Sequence, residues 1–213
     1  MPAIDLQAFA LEPALLLPVF VTVLVIMDPV GNVPIFLALT RGRAPAELRL
    51  AAWQATAVAG GVILGFGLLG EQLLRVLGIS LEALQVAGGL LLILVALELL
   101  NPRPDTEKDP LNGRNVALVP IGTPLLAGPG AIAATMLYMS QADTVGGVLS
   151  VLLALLGVLV IVWLGMRFAP LLARLLGENG IELVSRLLGF LLAAIAVQFI
   201  ATAIADWVRY GVV

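Results

Sequence analysis

The stretch Met27-Asp28-Pro29-Val30-Gly31-Asn32-Val33-Pro34 lies midway along an apolar run from about Pro13 to Leu39. A later apolar run is interrupted in the same way by Pro120-Ile121-Gly122-Thr123-Pro124-Leu125-Leu126-Ala127-Gly128-Pro129-Gly130. Each proline removes a backbone donor and clashes with the preceding turn, so an unbroken helix costs about 3 kcal/mol or more per proline. In hydrocarbon the freed backbone groups find no water, and a break survives only under protein cover or beside a wet cavity. An ionisable side chain at that depth is a functional-site hypothesis by default.

Both breaks place a good N-cap type before a proline suited to the first helical position, Asp28-Pro29 and Gly128-Pro129. That predicts two half-helices whose N-termini face each other near the membrane centre. Their unpaired N–H groups and positive dipole ends would converge on one small volume, a cradle for a carboxylate. Asp28, Asn32 and Thr123 add acceptors for an ammonium, a proton or a cation. The expected binding set is Asp28, Pro29, Gly31, Asn32, Thr123, Gly128, Pro129 and Gly130, with Asp28 the proton- or cation-linked group. Gly130→Leu is expected to crowd the half-helix terminus and block binding. Glu98, near one end of its segment, is a second candidate for a proton path, weighed against an interfacial carboxylate. The structural alternative is that Asp28 only caps its own half-helix and the prolines are packing kinks. Two breaks at matching positions weigh against that alternative.

The chain that must position these residues has 213 residues, 61% hydrophobic and 12% charged. Soluble domains run near about 45–50% and about 25%. No soluble fold of this size hides so much apolar surface, so the composition specifies an integral membrane protein. A formal net charge of −3 without basic runs argues against nucleic acid as a partner. With no Cys and no His there is no disulfide, no thiolate or imidazole metal site and no Cys–His or Ser–His–Asp catalysis. Aspartyl proteolysis needs two facing carboxylates, and Asp28 is the one Asp deep in an apolar segment. The lone lysine, Lys108, has no Gly-rich phosphate loop around it, which argues against ATP-driven pumping. The expectation is a non-enzyme without metal or cofactor, and, with no basic n-region at the start, without a cleaved signal peptide.

Six apolar segments follow, at about 13–39, 50–74, 80–100, 116–139, 145–168 and 181–205, each near the roughly 20 residues that a span needs. The connections read as 41–49, 71–78, 101–115, 141–144 and 171–180. Arg41, Arg43, Arg49, Arg103, Lys108, Arg114, Arg167, Arg174 and Arg186 fall on one side, and Arg75 and Arg209 on the other. The basic side is cytoplasmic by the positive-inside rule, which puts both termini outside the cytoplasm.

The two halves read as copies. Adding 100 to a residue number maps Pro29 onto Pro129, Thr40 onto Ser140, Gly65 onto Gly165 and Glu82 onto Glu182. It also maps Gly89 onto Gly189, Ala96 onto Ala196 and Glu98 onto Gln198. Pro29/Pro129, Glu82/Glu182 and Glu98/Gln198 carry the most weight, since alanine matches are cheap in apolar sequence. An odd number of spans per half forces the second copy to enter from the opposite face. The fold expected is an all-α polytopic membrane protein, one membrane domain over 1–213. Repeat 1 covers about 13–100, a linker 101–115, and repeat 2 about 116–209, with broken or re-entrant helices at the first and fourth segments. Gln85 and Gln198 read as interhelical hydrogen-bond partners, and Gly61-Val62-Ile63-Leu64-Gly65 as a close-packing motif. A homo-oligomer stays open.

The stretches Met27 to Phe36, Gly78-Ile79-Ser80 with Ala87-Gly88-Gly89, and Pro124 to Ile132 closely resemble the MarC family, grouped with the LysE superfamily. The resemblance covers essentially the whole chain. It implies a multi-pass protein of the bacterial or archaeal cytoplasmic membrane, bound to lipid. For some members it implies transport of a small neutral amino acid such as alanine or glycine, coupled to protons. The residues agree with it: a zwitterion offers a carboxylate to the half-helix termini and an ammonium to Asp28. The leading expectation is a secondary transporter of a small solute with alternating access about the two breaks, driven by a proton or sodium ion. A channel or an exporter of another small solute is the alternative.

Overall fold

A computed structural model of the chain describes residues 11–101 and 126–210. Every regular element among them is helical. Helix α1 runs Pro13–Met27, α2 Asn32–Leu39, α3 Pro45–Leu77, α4 Leu81–Leu100, α5 Pro129–Ser140, α6 Val145–Arg167 and α7 Ala169–Tyr210. Local sequence sets the starts. Pro13, Pro45 and Pro129 occupy first-turn positions where no N–H is needed. Ser80 caps α4 by accepting from the Ala83 N–H at 3.2 Å, and Thr144 caps α6 by accepting from Gly147 at 2.8 Å.

Four helices, α3, α4, α6 and the Asn179–Arg209 part of α7, are long and apolar enough to cross a membrane. A fifth span results if α1 and α2, bent by 46° at their junction, count as one. Helix α5 has only 12 residues. The preceding part of the expected fourth segment, 116–125, lies outside the described residues, as does most of the expected linker.

Three expected connections are shorter than the sequence suggested. Helix α3 reaches back to Pro45 and on to Leu77, taking in much of 41–49 and 71–78. Residues 171–180 are helical apart from a break at Gly177 (φ 64°), inside α7. Charged residues at membrane-helix ends mark where the apolar band stops, and helical hydrogen bonding continues into the polar zone beyond it.

Packing contacts fix the helix directions. Along α1, Glu12 donates its N–H to Ser150 Oγ at 2.7 Å, Phe20 packs on Gly157, and Pro29 packs on Gly165. Residue numbers rise together, so α1 and α6 are parallel. Helices α3 and α5 are parallel by the same test, Gly67 meeting Thr135 and Gly70 meeting Met136. Helix α4 runs against α5, Gly88 facing Ala133 and Leu92 facing Gly130. It also runs against α7, the largest helix pair in the molecule. One face of the bundle therefore holds the start of α1, the ends of α3 and α5, the starts of α4 and α6 and the end of α7.

The α4–α7 crossing is reciprocal. A β-carbon on Gly89 would lie 2.9 Å from the Ala196 carbonyl oxygen, and one on Gly189 would lie 3.2 Å from that of Ala96. Gly89/Gly189 and Ala96/Ala196 are pairs at the 100-residue offset, so each half presents the same surface to the other. Thr40 and Ser140, also a pair, stand at the ends of α2 and α5 and each donates to a carbonyl of its own helix, at 2.6 and 2.7 Å. The Gly61–Gly65 motif, by contrast, has no neighbour among the described residues within 4 Å of either added β-carbon. The close packing of α3 uses Gly60, Gly67 and Gly70 instead, against Leu159, Thr135 and Met136. The motif is one helical face away from the core stripe.

Candidate functional site

The first break forms because α1 ends at Asp28 in a left-handed conformation, φ 36° and ψ 72°. A β-carbon makes that conformation costly, though Asp tolerates it better than most residues. Local hydrogen bonds offset the cost. Asp28 Oδ1 accepts the Gly31 N–H at 2.9 Å, and the Asp28 carbonyl accepts the Asn32 N–H at 3.1 Å. These are the side-chain and backbone bonds of an N-cap, so Asp28 caps the turn Pro29-Val30-Gly31 that leads into α2. Regular helix begins three residues later than Pro29 would allow, at Asn32. The Asn32 amide donates to the Met27 carbonyl at 2.6 Å, reclaiming an acceptor that the break releases.

This network leaves one atom over. Asp28 is 6% exposed, and its Oδ2 is buried with no hydrogen-bond partner among the described residues. Gly31 shapes the space beside it, since a β-carbon there would overlap Oδ2. A buried carboxylate oxygen with unused lone pairs is costly unless a proton, a cation or an ammonium meets it.

The second break carries no charge. Gly128 is the N-cap of α5 with extended backbone, Pro129 takes the first helical position, and the Ile132 N–H closes the first bond to the Gly128 carbonyl at 3.1 Å. The Gly130 and Ala131 N–H groups have no intrahelical acceptor at that position. An added β-carbon on Gly130 would overlap Leu92 of α4 and lie 3.7 Å from Ile26 of α1. The start of α5 is thus pressed between α4 and the end of α1, which brings the two breaks together. Helices α2 and α5 have different main partners, α7 for α2 and α1, α3 and α4 for α5, and both touch α6.

Of the expected site residues, Asp28, Pro29, Gly31 and Asn32 form one turn, and Gly128, Pro129 and Gly130 form the start of α5. Thr123 lies outside the described residues. Glu98 is on an exposed face of α4 near its C-terminal end, away from the break. Gln198 is also exposed and donates to Thr202 of its own helix at 3.0 Å, in place of an interhelical bond. Sequence reasoning passed over three polar groups on the helices of the breaks: the buried Thr22 and Thr135 and the half-buried Tyr138. Their positions, six residues before Asp28 and six and nine after Pro129, were the available signal. Pro29 and Val30 also line an apolar crevice of about 390 Å³ with Ile161, Leu164, Gly165, Phe168, Leu171 and Leu172.

A helical bundle with several membrane-crossing helices, broken within its first apolar run at a buried carboxylate, defines an integral membrane protein with an internal polar site. The chain belongs to the MarC family: residues 14–208 match the description "MarC family integral membrane protein". It is 36% identical over 206 residues to the UPF0056 membrane protein MJ1677 of Methanocaldococcus jannaschii, covering 94% of this chain and 97% of that one. It is 33% identical to the UPF0056 inner membrane protein YhgN of Escherichia coli K12, over 89% and 95% of the two chains. The UPF0056 membrane protein YvbG of Bacillus subtilis is 28% identical, over 87% and 92%. No solved structure matches the chain significantly.

Proposed function

We propose that the protein is a secondary transporter of a small solute, a small neutral amino acid of the alanine or glycine kind, working by alternating access about the two breaks. The observation that carries this reading is the buried Asp28, its Oδ2 without a partner among the described residues, at a helix break inside a membrane bundle. Intramembrane carboxylates of this kind mark ion and substrate paths. In this reading Asp28 Oδ2 takes the coupling proton or sodium ion, or the ammonium of the solute. The Gly130 and Ala131 N–H groups take the carboxylate, the Asn32 and Val33 N–H groups at the α2 terminus being already bonded to the Asp28 and Val30 carbonyls. Pro29, Asn32 and Gly128 hold the two turns in place, and Thr123 is kept in the set as an added acceptor. Glu98, exposed and distant, is the weaker coupling candidate.

The architecture proposed is six spans in two inverted repeats within one membrane domain. The reciprocal α4–α7 crossing and the antiparallel sense of its two helices support it, as a two-fold axis in the membrane plane requires both. Among the described arginines, Arg41, Arg43, Arg49, Arg167, Arg174 and Arg186 stand toward one face, and Arg75 and Arg209 toward the other. That bias supports a cytoplasmic location for the first face and an extracytoplasmic one for both termini. The inner membrane is the proposed site, in line with the name of the YhgN relative.

Counterflow tests the proposal. Proteoliposomes loaded with unlabelled alanine or glycine should transiently accumulate the labelled solute, with saturable rates. Flux that neither saturates nor shows counterflow would point to a channel.

A further inference from the structure

Two hydroxyls meet in the apolar seam between α1 and α5: Thr22 Oγ1 and Tyr138 Oη lie 3.0 Å apart, hydrogen-bonded across 116 residues of sequence. These are the helices on which the two breaks sit. They run antiparallel, with Gly130 against Ile26 at the level of the breaks and Tyr138 against Thr22 nearer the face that holds Glu12. Six residues separate Thr22 from Asp28, about 9 Å along a helix axis. Between the two levels, Thr135 stands on α5 one turn before Tyr138. Its residue is 0% exposed and its Oγ1 has no partner among the described residues, while its methyl group faces Gly67 of α3.

From the Glu12 face inward the order is thus Tyr138 with Thr22, then Thr135, then Asp28 Oδ2. Three polar positions follow one another in depth through apolar packing, Thr135 on the side of α5 that meets α3, and two of them have no hydrogen-bond partner among the described residues. Apolar side chains would fill such a seam at lower cost, because each unmet polar atom is penalised. On the other side of the breaks the seam ends, since α5 begins at Pro129 and α2 bends away by 46°.

We infer that the Thr22–Tyr138 hydrogen bond is the gate on the Glu12 face of a passage to Asp28, with Thr135 the polar step inside it for a small hydrogen-bonding solute or a proton. The inference rests on the transporter reading above. A neutral hydroxyl pair suits a gate, as its net strength is small enough to be broken and remade in each cycle. Opening needs α5 to part from α1 near Tyr138 while the breaks keep their own local bonds.

The chain has no cysteine, so Thr135→Cys provides a single thiol inside the gate. Its labelling by a membrane-impermeant maleimide is read in right-side-out and in inverted membrane vesicles. Adding Tyr138→Phe should raise the rate by about two- to tenfold, the factor that one net hydrogen bond sets on an opening equilibrium. The increase should appear from the Glu12 face only. The near-isosteric Thr22→Val should act alike, and both changes together should do no more than either, as for two halves of one bond. Melting temperatures in detergent confirm that each variant is folded. An unchanged rate in the folded variants overturns the gate, and so does an equal increase from both faces, which means loosened packing. Labelling needs no solute, so counterflow without a labelling change discards the gate and keeps the carrier. One-sided labelling without counterflow of any solute keeps the gated passage and removes the carrier.

Discussion

The two breaks begin from the same sequence device, a capping residue followed by proline, and reach different solutions. At the first, a carboxyl is kept and bonded locally through one oxygen: Asp28 Oδ1 and the Asp28 carbonyl accept from Gly31 and Asn32, Asn32 donates to Met27, and Oδ2 has no partner among the described residues. At the second, Gly128 and Gly130 bring no side chain to the start of α5, and Gly130 is approached closely by Leu92 and Ile26. One break carries the chemistry and the other carries the proximity. An inverted pair with a carboxylate on each side would place two like charges in one low-dielectric volume, a costly arrangement. The asymmetry between the two breaks leaves a single carboxyl, that of Asp28.

That contrast can be broken from either side. The largest effect on transport is expected at the charged break from Gly31→Ala. Its new methyl group overlaps Asp28 Oδ2 and must displace the carboxylate, while the helical backbone of Gly31 (φ −63°) accepts alanine freely. Solute counterflow should fall at least about tenfold, the factor set by roughly 1.4 kcal/mol on the bound state, with little change in melting temperature. At the packed break Gly130→Leu should act chiefly on stability, costing about 1–3 kcal/mol through overpacking against Leu92. Adding Leu92→Ala should recover much of the loss in a thermal melt. If it recovers nothing, the Leu92 contact is not what limits this site. A third change sharpens the comparison at the first break without touching the charge. Asn32→Ala strips the Met27 carbonyl of its partner in a buried position, for an expected loss of about 1–3 kcal/mol by thermal or denaturant unfolding. Counterflow in the fraction that stays folded should persist.

Much of this was legible beforehand. The first break, the helical class and the apolar stretches that carry the described helices follow from where Pro, Gly and Asp interrupt apolar runs. The 100-residue offset also marks the two sides of the α4–α7 crossing, through matches other than those given most weight. Glu98 and Gln198 stand on exposed faces, whereas Gly89 with Gly189, and Ala96 with Ala196, the latter pair discounted as cheap, make the α4–α7 crossing. Small residues are uninformative in composition and decisive where two backbones approach. Helix ends were less legible, because amphipathic turns such as Pro45–Arg49 and Leu171–Leu176 continue a helix past the apolar band. The late start of α2 at Asn32 was also hidden. It depends on the left-handed backbone of Asp28, a conformation set by the hydrogen bonds of the finished turn. The pairing of Thr22 with Tyr138 is a tertiary fact that no spacing along the chain encodes.

The central claim is that the free oxygen of Asp28 couples solute movement to an ion. Asp28→Asn tests it most directly, since an amide oxygen can still cap Gly31 while no titratable group remains. The measurement is labelled alanine and glycine uptake into proteoliposomes under an imposed pH gradient, wild type beside the variant. The account predicts gradient-driven, saturable accumulation by the wild type, and in the folded variant only downhill equilibration. Accumulation by Asp28→Asn equal to that of the wild type would contradict it.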